Sequence, residues 1–282
     1  MDRASNKHIY GYSWYLDHMA VGWAGLVLND YEAVMPLPTR KKWGIRYLYE
    51  PFLVAQGGLF ASKPDAALLE AFLKTIPSVF KWWEFPLNHQ NLFDIKGFPL
   101  YSRNNYVLDL DKPYETLFAG YRENIRRNIR KSAQMGCYLK KDIPAADIVH
   151  LALQFGPAFH ESDQQNFLRL FSFLHQKGAA RTYGILSKQH ELISSAVFFY
   201  GDRRAYYILV GNHPNGRTLG SSHALVDAFI QDHAGKDMVL DFEGSDLRSL
   251  AFFYSSFGAR QENYAAIRMN RLPWYARWMK KE

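Results

Sequence analysis

Three apolar runs in close succession constrain the fold most. Arg181 to Leu186, Leu192 to Tyr200 and Ala205 to Val210 are rich in aromatic and β-branched residues, and the polar segments SKQHE and GDRR separate them. Such side chains fit a pleated, half-buried surface, and breaks of that composition turn the chain, so the spacing predicts two consecutive β-hairpins. The flanking segments read as their covering. Ala145 to Phe155, opened by Pro144, and Gln164 to Lys177, ending at Gly178, are predicted helices. Ser221 to His233 places Leu225, Val226, Phe229 and Ile230 on one helical face. CYLKKD, Met238 to Phe242 and Gln261 to Met269 read as further strands, and Leu247 to Phe257 as a helix closed by Gly258.

The first half is less regular. A helix is expected at Ser13 to Met19, with strands near Trp23 to Leu28 and Glu32 to Leu37 joined at Asn29-Asp30, and another near Ile45 to Tyr49. Pro64 opens a helix to Ile76, and strands are expected at Lys81 to Phe85 and Tyr106 to Leu110. Strands, a helix and a strand recur in that order, so the first half reads as an eroded copy of the second. With 48% hydrophobic and 22% charged residues, 282 residues can bury two cores. The expected domains are 1–112 and 137–282, connected by a helix over 113–136. That helix carries Tyr114, Leu117, Phe118, Tyr121, Ile125 and Ile129 as an apolar stripe, with Arg122, Arg126, Arg127, Arg130 and Lys131 on the other half. The basic half is either a solvated face or an anion-binding wall built on Arg122, Arg126 and Arg130.

The single cysteine, Cys137, excludes an intramolecular disulfide and a cysteine metal cluster. The histidines, among them His160, His175, His190, His213 and His223, form no pair at ligand spacing, so no metal is expected. Reduced-thiol usage makes the cytoplasm the expected compartment. No apolar stretch has the length and purity of a membrane span or a leader. A net charge of +7 favours polyanionic company: CoA phosphates, nucleic acid or an anionic lipid surface. The tail RLPWYARWMKKE interleaves Arg271, Arg277, Lys280 and Lys281 with Trp274, Tyr275 and Trp278. It reads either as a peripheral membrane contact or as aromatics folded back onto the protein.

Arg217, Thr218, Leu219, Gly220, Ser221 and Ser222 stand just before the predicted helix Ser221 to His233. A helix N-terminus has unpaired N–H groups and partial positive charge, and small residues let a pyrophosphate approach them. The same residues also suffice as an ordinary capped helix start.

In its element order, its Arg-x-x-Gly-x-Ser loop and its FYSSFG segment, where Phe253 and Tyr254 stand four residues before Gly258, the second half resembles the GNAT acyltransferases. YRENIRRNIRKSAQMG and DFEGSDLRSLAFFYSSFGA resemble segments of the Fem-type branch of that superfamily, in which two such domains lie in tandem. The resemblance implies an α+β (mixed α/β) fold of two tandem GNAT-like domains, each a mixed, mainly antiparallel sheet flanked by helices. It implies transfer of an acyl group, acetyl or longer, from acyl-CoA to a small-molecule or peptide amine. In the Fem-like alternative the donor is an aminoacyl-tRNA, and a third reading is a non-catalytic binding protein that keeps the fold. It places donor phosphates at Arg217, Gly220, Ser221 and Ser222, and makes Tyr254 the acid for the leaving group. Asp241 and Glu243, two apart at a strand end, are the expected base, Glu243 ahead of Asp241. Ser222 departs from the Gly or Ala usual at its position, which puts the pyrophosphate cradle in question.

Overall fold

A computed structural model describes residues 1, 3–244 and 246–274, and the chain packs as two compact units. One unit joins Met1–Asn104 to the segment that begins at Glu262; the other is Asn105–Gln261.

In chain order the first unit contains α1 (Ser13–Met19), β1 (Ala24–Leu28), β2 (Ala33–Leu37), β3 (Thr39–Lys42), β4 (Ile45–Leu48), β5 (Phe60–Ala61), α2 (Ala66–Thr75), β6 (Phe80–Pro86) and β7 (Leu100–Arg103). The α2 helix starts where the Asp65 side chain accepts from the Leu68 N–H, and it buries Leu69, Phe72 and Leu73 at i, i+3 and i+4. These side chains join Trp83, Phe85 and Leu87 in this unit's core.

The second unit runs β8 (Tyr106–Asp109), α3 (Tyr114–Ala119), α4 (Glu123–Gln134), β9 (Tyr138–Lys141), α5 (Ala145–Phe155), α6 (Glu161–Gln176), β10 (Ala180–Leu186), β11 (Leu192–Gly201) and β12 (Arg204–Asn212). It ends with α7 (Pro214–Leu219), α8 (Ser221–His233), β13 (Val239–Asp241), α9 (Arg248–Ser255) and β14 (Arg260–Gln261). Its sheet has the order β14-β8-β13-β12-β11-β10-β9, antiparallel except between β12 and β13. The two hairpins read from the three apolar runs are β10–β11 and β11–β12. Leu225, Val226, Phe229 and Ile230 of α8 are fully buried in this unit's core, each burial worth about 1.5–3 kcal/mol.

The last strand, β15 (Tyr264–Asn270), pairs with β6 and β7 and so completes the first unit's sheet, β3-β4-β6-β15-β7. Conversely β8, which precedes the segment expected to connect the halves, lies inside the second unit's sheet beside β13. Residues 113–136 also belong to the second unit, as two helices that break at Gly120. The stripe survives the break: Leu117, Tyr121 and Ile125 are buried in the core, and Tyr114, Phe118 and Ile129 pack against it. The architecture is the expected mixed α and β one, with mainly antiparallel sheets flanked by helices.

Candidate functional site

The β12–β13 pairing joins Arg204, Ala205 and Tyr206 to Val239, Leu240 and Asp241, and goes no further along β12. Beyond Tyr206, β12 runs on without β13, which ends at Asp241, and that side of β12 is left without a strand partner. A β-bulge shapes the same stretch. Leu209 pairs with Val197 and Tyr207 with Phe198, so Ile208 is an extra residue between them. Side chains of a regular strand alternate faces, and one inserted residue shifts the alternation. Val210 therefore shares the face of Ala205 and Tyr207, and it packs against the same core.

Tyr207, Val210 and Asn212 consequently line one cleft of about 410 Å³, together with Arg217 of α7, Ser222 and His223 of α8, and Ser249, Leu250, Phe253 and Tyr254 of α9. The cleft brings together three residues expected from the sequence: Arg217, Ser222 and Tyr254.

Tyr254 sits 7% exposed, its ring stacked on Phe242 at 4.7 Å, and its hydroxyl makes no hydrogen bond to a described residue. Burial, reinforced by the negative charge of Glu243, holds its pKa well above the ordinary phenol value. The Tyr207 phenol is likewise pushed up by burial and by Tyr254, and it too lacks a partner among the described residues. The cleft thus holds two O–H donors that stay protonated at any physiological pH.

His223 is a third polar group without full satisfaction. Its Nε2 lies 3.4 Å from Asn128 Nδ2, its Nδ1 is buried with no partner, and its ring meets Phe253 edge-on at 5.0 Å. Desolvation lowers its pKa to about 4, so the imidazole is neutral at pH 7. Arg217 is exposed and forms no ion pair with a described residue.

The phosphate-loop residues behave differently from one another. Residues 214–219 are not a loop but the short helix α7, in which Pro214 takes the first position and His213 Nδ1 accepts from the Asn215 N–H at 3.1 Å. Gly220 then reverses the chain at φ +72°, and a Cβ there would lie 2.4 Å from the carbonyl oxygen of Asn128 in α4. Its glycine is required by α4's approach as much as by any ligand. Ser221 is fully buried and donates to Gly216 O at 3.1 Å. Ser222 donates to Asn212 Oδ1 at 2.7 Å, and Ser194 donates to the same oxygen. Of the four, Arg217 and Ser222 face the cleft.

Asp241 is not a cleft carboxylate. It is fully buried, paired with Arg204 Nη1 at 2.5 Å, and it accepts from Asn105 Nδ2 and the Glu243 N–H, each at 2.9 Å. The intervening Phe242 is the residue that reaches Tyr254, so strand alternation turns Asp241 away. Glu243, at φ +66°, is not among the cleft-lining residues either; its charge acts on the site through Tyr254. The basic helix is likewise committed elsewhere. Arg126 donates to Ala119 O and Tyr121 O at 2.6 and 2.9 Å, capping the end of α3, and Arg130 pairs with Glu123 at 2.6 Å. Arg122 lies over Phe252 at 4.9 Å, next to cleft-lining Phe253, but does not itself line the cleft.

A cleft of similar size, about 430 Å³, lies at the opposite end of α8. There Asp232 takes both Lys141, at 2.5 Å, and the Tyr183 hydroxyl, at 2.6 Å, so its central polar groups already satisfy one another. Among the described residues no group of three or more His, Cys, Asp or Glu is placed to hold a metal, and no helix is long and apolar enough to cross a membrane. Residues 275–282, which carry most of the basic aromatic tail, lie outside the described residues.

No family model matches the chain, and no curated protein matches it in sequence. Solved structures do resemble it. FemX superposes with a TM-score of 0.65 at 13% identity, over 95% of this chain and 94% of its own. L-PGS from Bacillus licheniformis gives 0.57 at 10% identity over 94% and 93%. The C-terminal domain of a protein assigned as a lysylphosphatidylglycerol synthetase in Agrobacterium fabrum gives 0.58 at 10% identity over 98% and 91%. Likeness at such identity establishes architecture, and it extends over nearly the whole chain in each case. The chain shares its fold with FemX over nearly the whole length of both.

Proposed function

We propose that this protein is an acyltransferase that moves an acyl group from a phosphate-bearing carrier to an amine in the cleft where β12 runs on beyond β13. The observation that carries this reading is the convergence there of polar groups without a full set of protein partners among the described residues: the Tyr254 and Tyr207 hydroxyls, the buried His223 Nδ1 and the exposed Arg217. Buried polar groups are ordinarily paired, and a cluster left unpaired in a concave site is what a ligand would satisfy.

Each group has a chemical task. Attack of an amine on an acyl carbon places negative charge on the carbonyl oxygen, and the two phenols are donors for it. The carrier's atom leaves with an electron pair, which an O–H group aimed at it stabilises. His223 Nε2 takes the Asn128 amide N–H, so the neutral ring carries its proton on the unpartnered Nδ1 and is a further donor, while the amine proton passes to solvent in the open cleft. Arg217, exposed at the cleft, offers the carrier's phosphate a cation.

The carrier is read as an ester, as in an aminoacyl-tRNA, ahead of a CoA thioester. A phenol whose pKa lies above the ordinary value of about 10 is a poor acid for a thiolate, whose conjugate acid lies near about 8.5, and a better match for an alkoxide. The enclosure of Gly220 and Ser221 by internal contacts leaves less backbone open to a pyrophosphate. One protein of similar fold is named for the synthesis of lysylphosphatidylglycerol, itself an aminoacyl ester. Glu243 is assigned the task of keeping Tyr254 protonated. The acetyl-CoA donor is the competing outcome of one experiment.

That experiment measures equilibrium binding of aminoacyl-tRNA and of acetyl- and longer acyl-CoAs to the protein and to Arg217→Glu. Binding of charged tRNA that weakens tenfold or more in the variant is expected. Binding of an acyl-CoA alone would replace the ester by a thioester, and failure of both carriers would remove acyl transfer itself.

A further inference from the structure

The hairpin β3–β4 of the first unit breaks two local rules at once. Its two-residue turn is Trp43-Gly44, with φ +50° and +81°, the left-handed pair of a type I′ turn. That turn favours Asn-Gly, because a bulky L-residue at positive φ is strained by about 1–3 kcal/mol. Trp43 nevertheless occupies it, and its side chain is 77% exposed. Behind the turn, Lys41 stands directly opposite Arg46 across the strands, a like-charge pair that weakens a hairpin. Arg40, Lys41, Lys42 and Arg46 form no ion pair with a described residue. Cations on an edge strand do guard against edge-to-edge pairing. That accounts for β3 but neither for Arg46 on the second strand nor for Trp43.

We propose that this hairpin docks the protein on an anionic lipid surface, with Trp43 entering the headgroup layer and the four cations neutralising lipid phosphates around it. Cross-strand pairing places Arg40 and Lys42 on one face of the hairpin and Lys41 and Arg46 on the other, so charge surrounds the tip. A planar surface met tip-first engages both faces, and an indole at the interface is favoured there. Single-stranded RNA fits less well. Base stacking needs open aromatic faces, whereas Lys42 Nζ already lies 4.7 Å over the Trp43 ring and the Arg40 guanidinium 4.1 Å over Tyr49. The inference is independent of the acyl-transfer reading.

The test is co-sedimentation with vesicles of phosphatidylcholine alone, with vesicles in which a third of the lipid is phosphatidylglycerol, and a parallel titration with single-stranded homopolymer RNA. The variants are Trp43→Asn and Lys41→Glu, each of which relieves one local conflict. Both are expected to melt at or above the parent's temperature while binding anionic vesicles at least about fivefold more weakly, the factor for one cation near such a surface. Unchanged vesicle binding in the variants would overturn the proposal. So would a fall in melting temperature in Trp43→Asn, which would assign the indole to the fold, or a parent protein that binds the RNA and ignores the vesicles.

Discussion

Two stretches of β12 behave in opposite ways. Where β12 and β13 are hydrogen-bonded, the polar groups are closed upon one another, with Asp241, Arg204 and Asn105 forming a buried, mutually satisfied set. One residue further along β12, past the end of β13, Tyr207 lines a cleft with Tyr254 and His223, where the two hydroxyls have no protein partner among the described residues and His223 Nδ1 is buried unpaired. Buried polar groups that satisfy one another hold a fold together, whereas polar groups that face a cleft without protein partners are open to a ligand. On this contrast the stretch of β12 paired with β13 is scaffold and the stretch beyond it is site.

The largest expected effect breaks the scaffold side. Asp241→Ala removes the carboxylate that Arg204, Asn105 and the Glu243 N–H share, and removing one member of a buried pair costs about 3–5 kcal/mol. Denaturant unfolding should show that loss; a change within experimental scatter would mean that Asp241 is not structural. On the site side, Tyr254→Phe removes one donor for developing charge and should lower turnover by about 10²–10³-fold, with carrier affinity and stability nearly unchanged. Equal turnover would take Tyr254 out of the chemistry.

The third prediction uses pH. His223 has a folded-state pKa of about 4 against an ordinary 6.5, so the unfolded chain binds its proton first. The stability that depends on a neutral His223 is therefore complete above pH 6.5 and is lost as pH falls toward 4, by up to about 1.4 kcal/mol per pH unit. Asp227 works in the opposite sense, because burial raises its carboxyl and favours the protonated folded state. The difference between the parent and His223→Gln isolates the histidine, and parallel pH profiles for the two would show that its environment is not desolvated. The smallest effect is Arg217→Gln, expected to weaken carrier binding about tenfold while turnover at saturating carrier stays constant.

Much of the scaffold was legible in local pattern. The helices Ser13–Met19, Ala145–Phe155 and Ser221–His233 have the bounds expected from Pro144 and from apolar spacing. The chain's division into units was not, because strand partners are set by pairing between distant residues. β8 and β15 look like ordinary strands of their own halves, and only Asp241 against Val107 or Ile267 against Phe85 reveals the exchange. Short or charged strands such as β3, TRKK, carry no alternation to read. PNGRTL has turn composition, and its helix depends on the His213 cap.

The site divides in the same way. Tyr254, Arg217 and Ser222 were within reach because a motif marks them. Tyr207 was not, since the bulge at Ile208 that shifts the face of the residues after it leaves no trace in the apolar run. His223 is one of several scattered histidines in the sequence, and what distinguishes it is an orphaned nitrogen, a property of packing. Asp241 has the right chemistry for a base, but Arg204 and Asn105 claim it from positions that no local reading links to it.

The claim that the stretch of β12 beyond the end of β13 forms the acyl-transfer site is tested most directly by amide hydrogen exchange with and without a bound carrier, aminoacyl-tRNA or acyl-CoA. The account predicts that protection rises in Ile208–Asn212 of β12 and at the start of α8, while Val239–Asp241, already paired, is unchanged. Protection confined to other segments would contradict it.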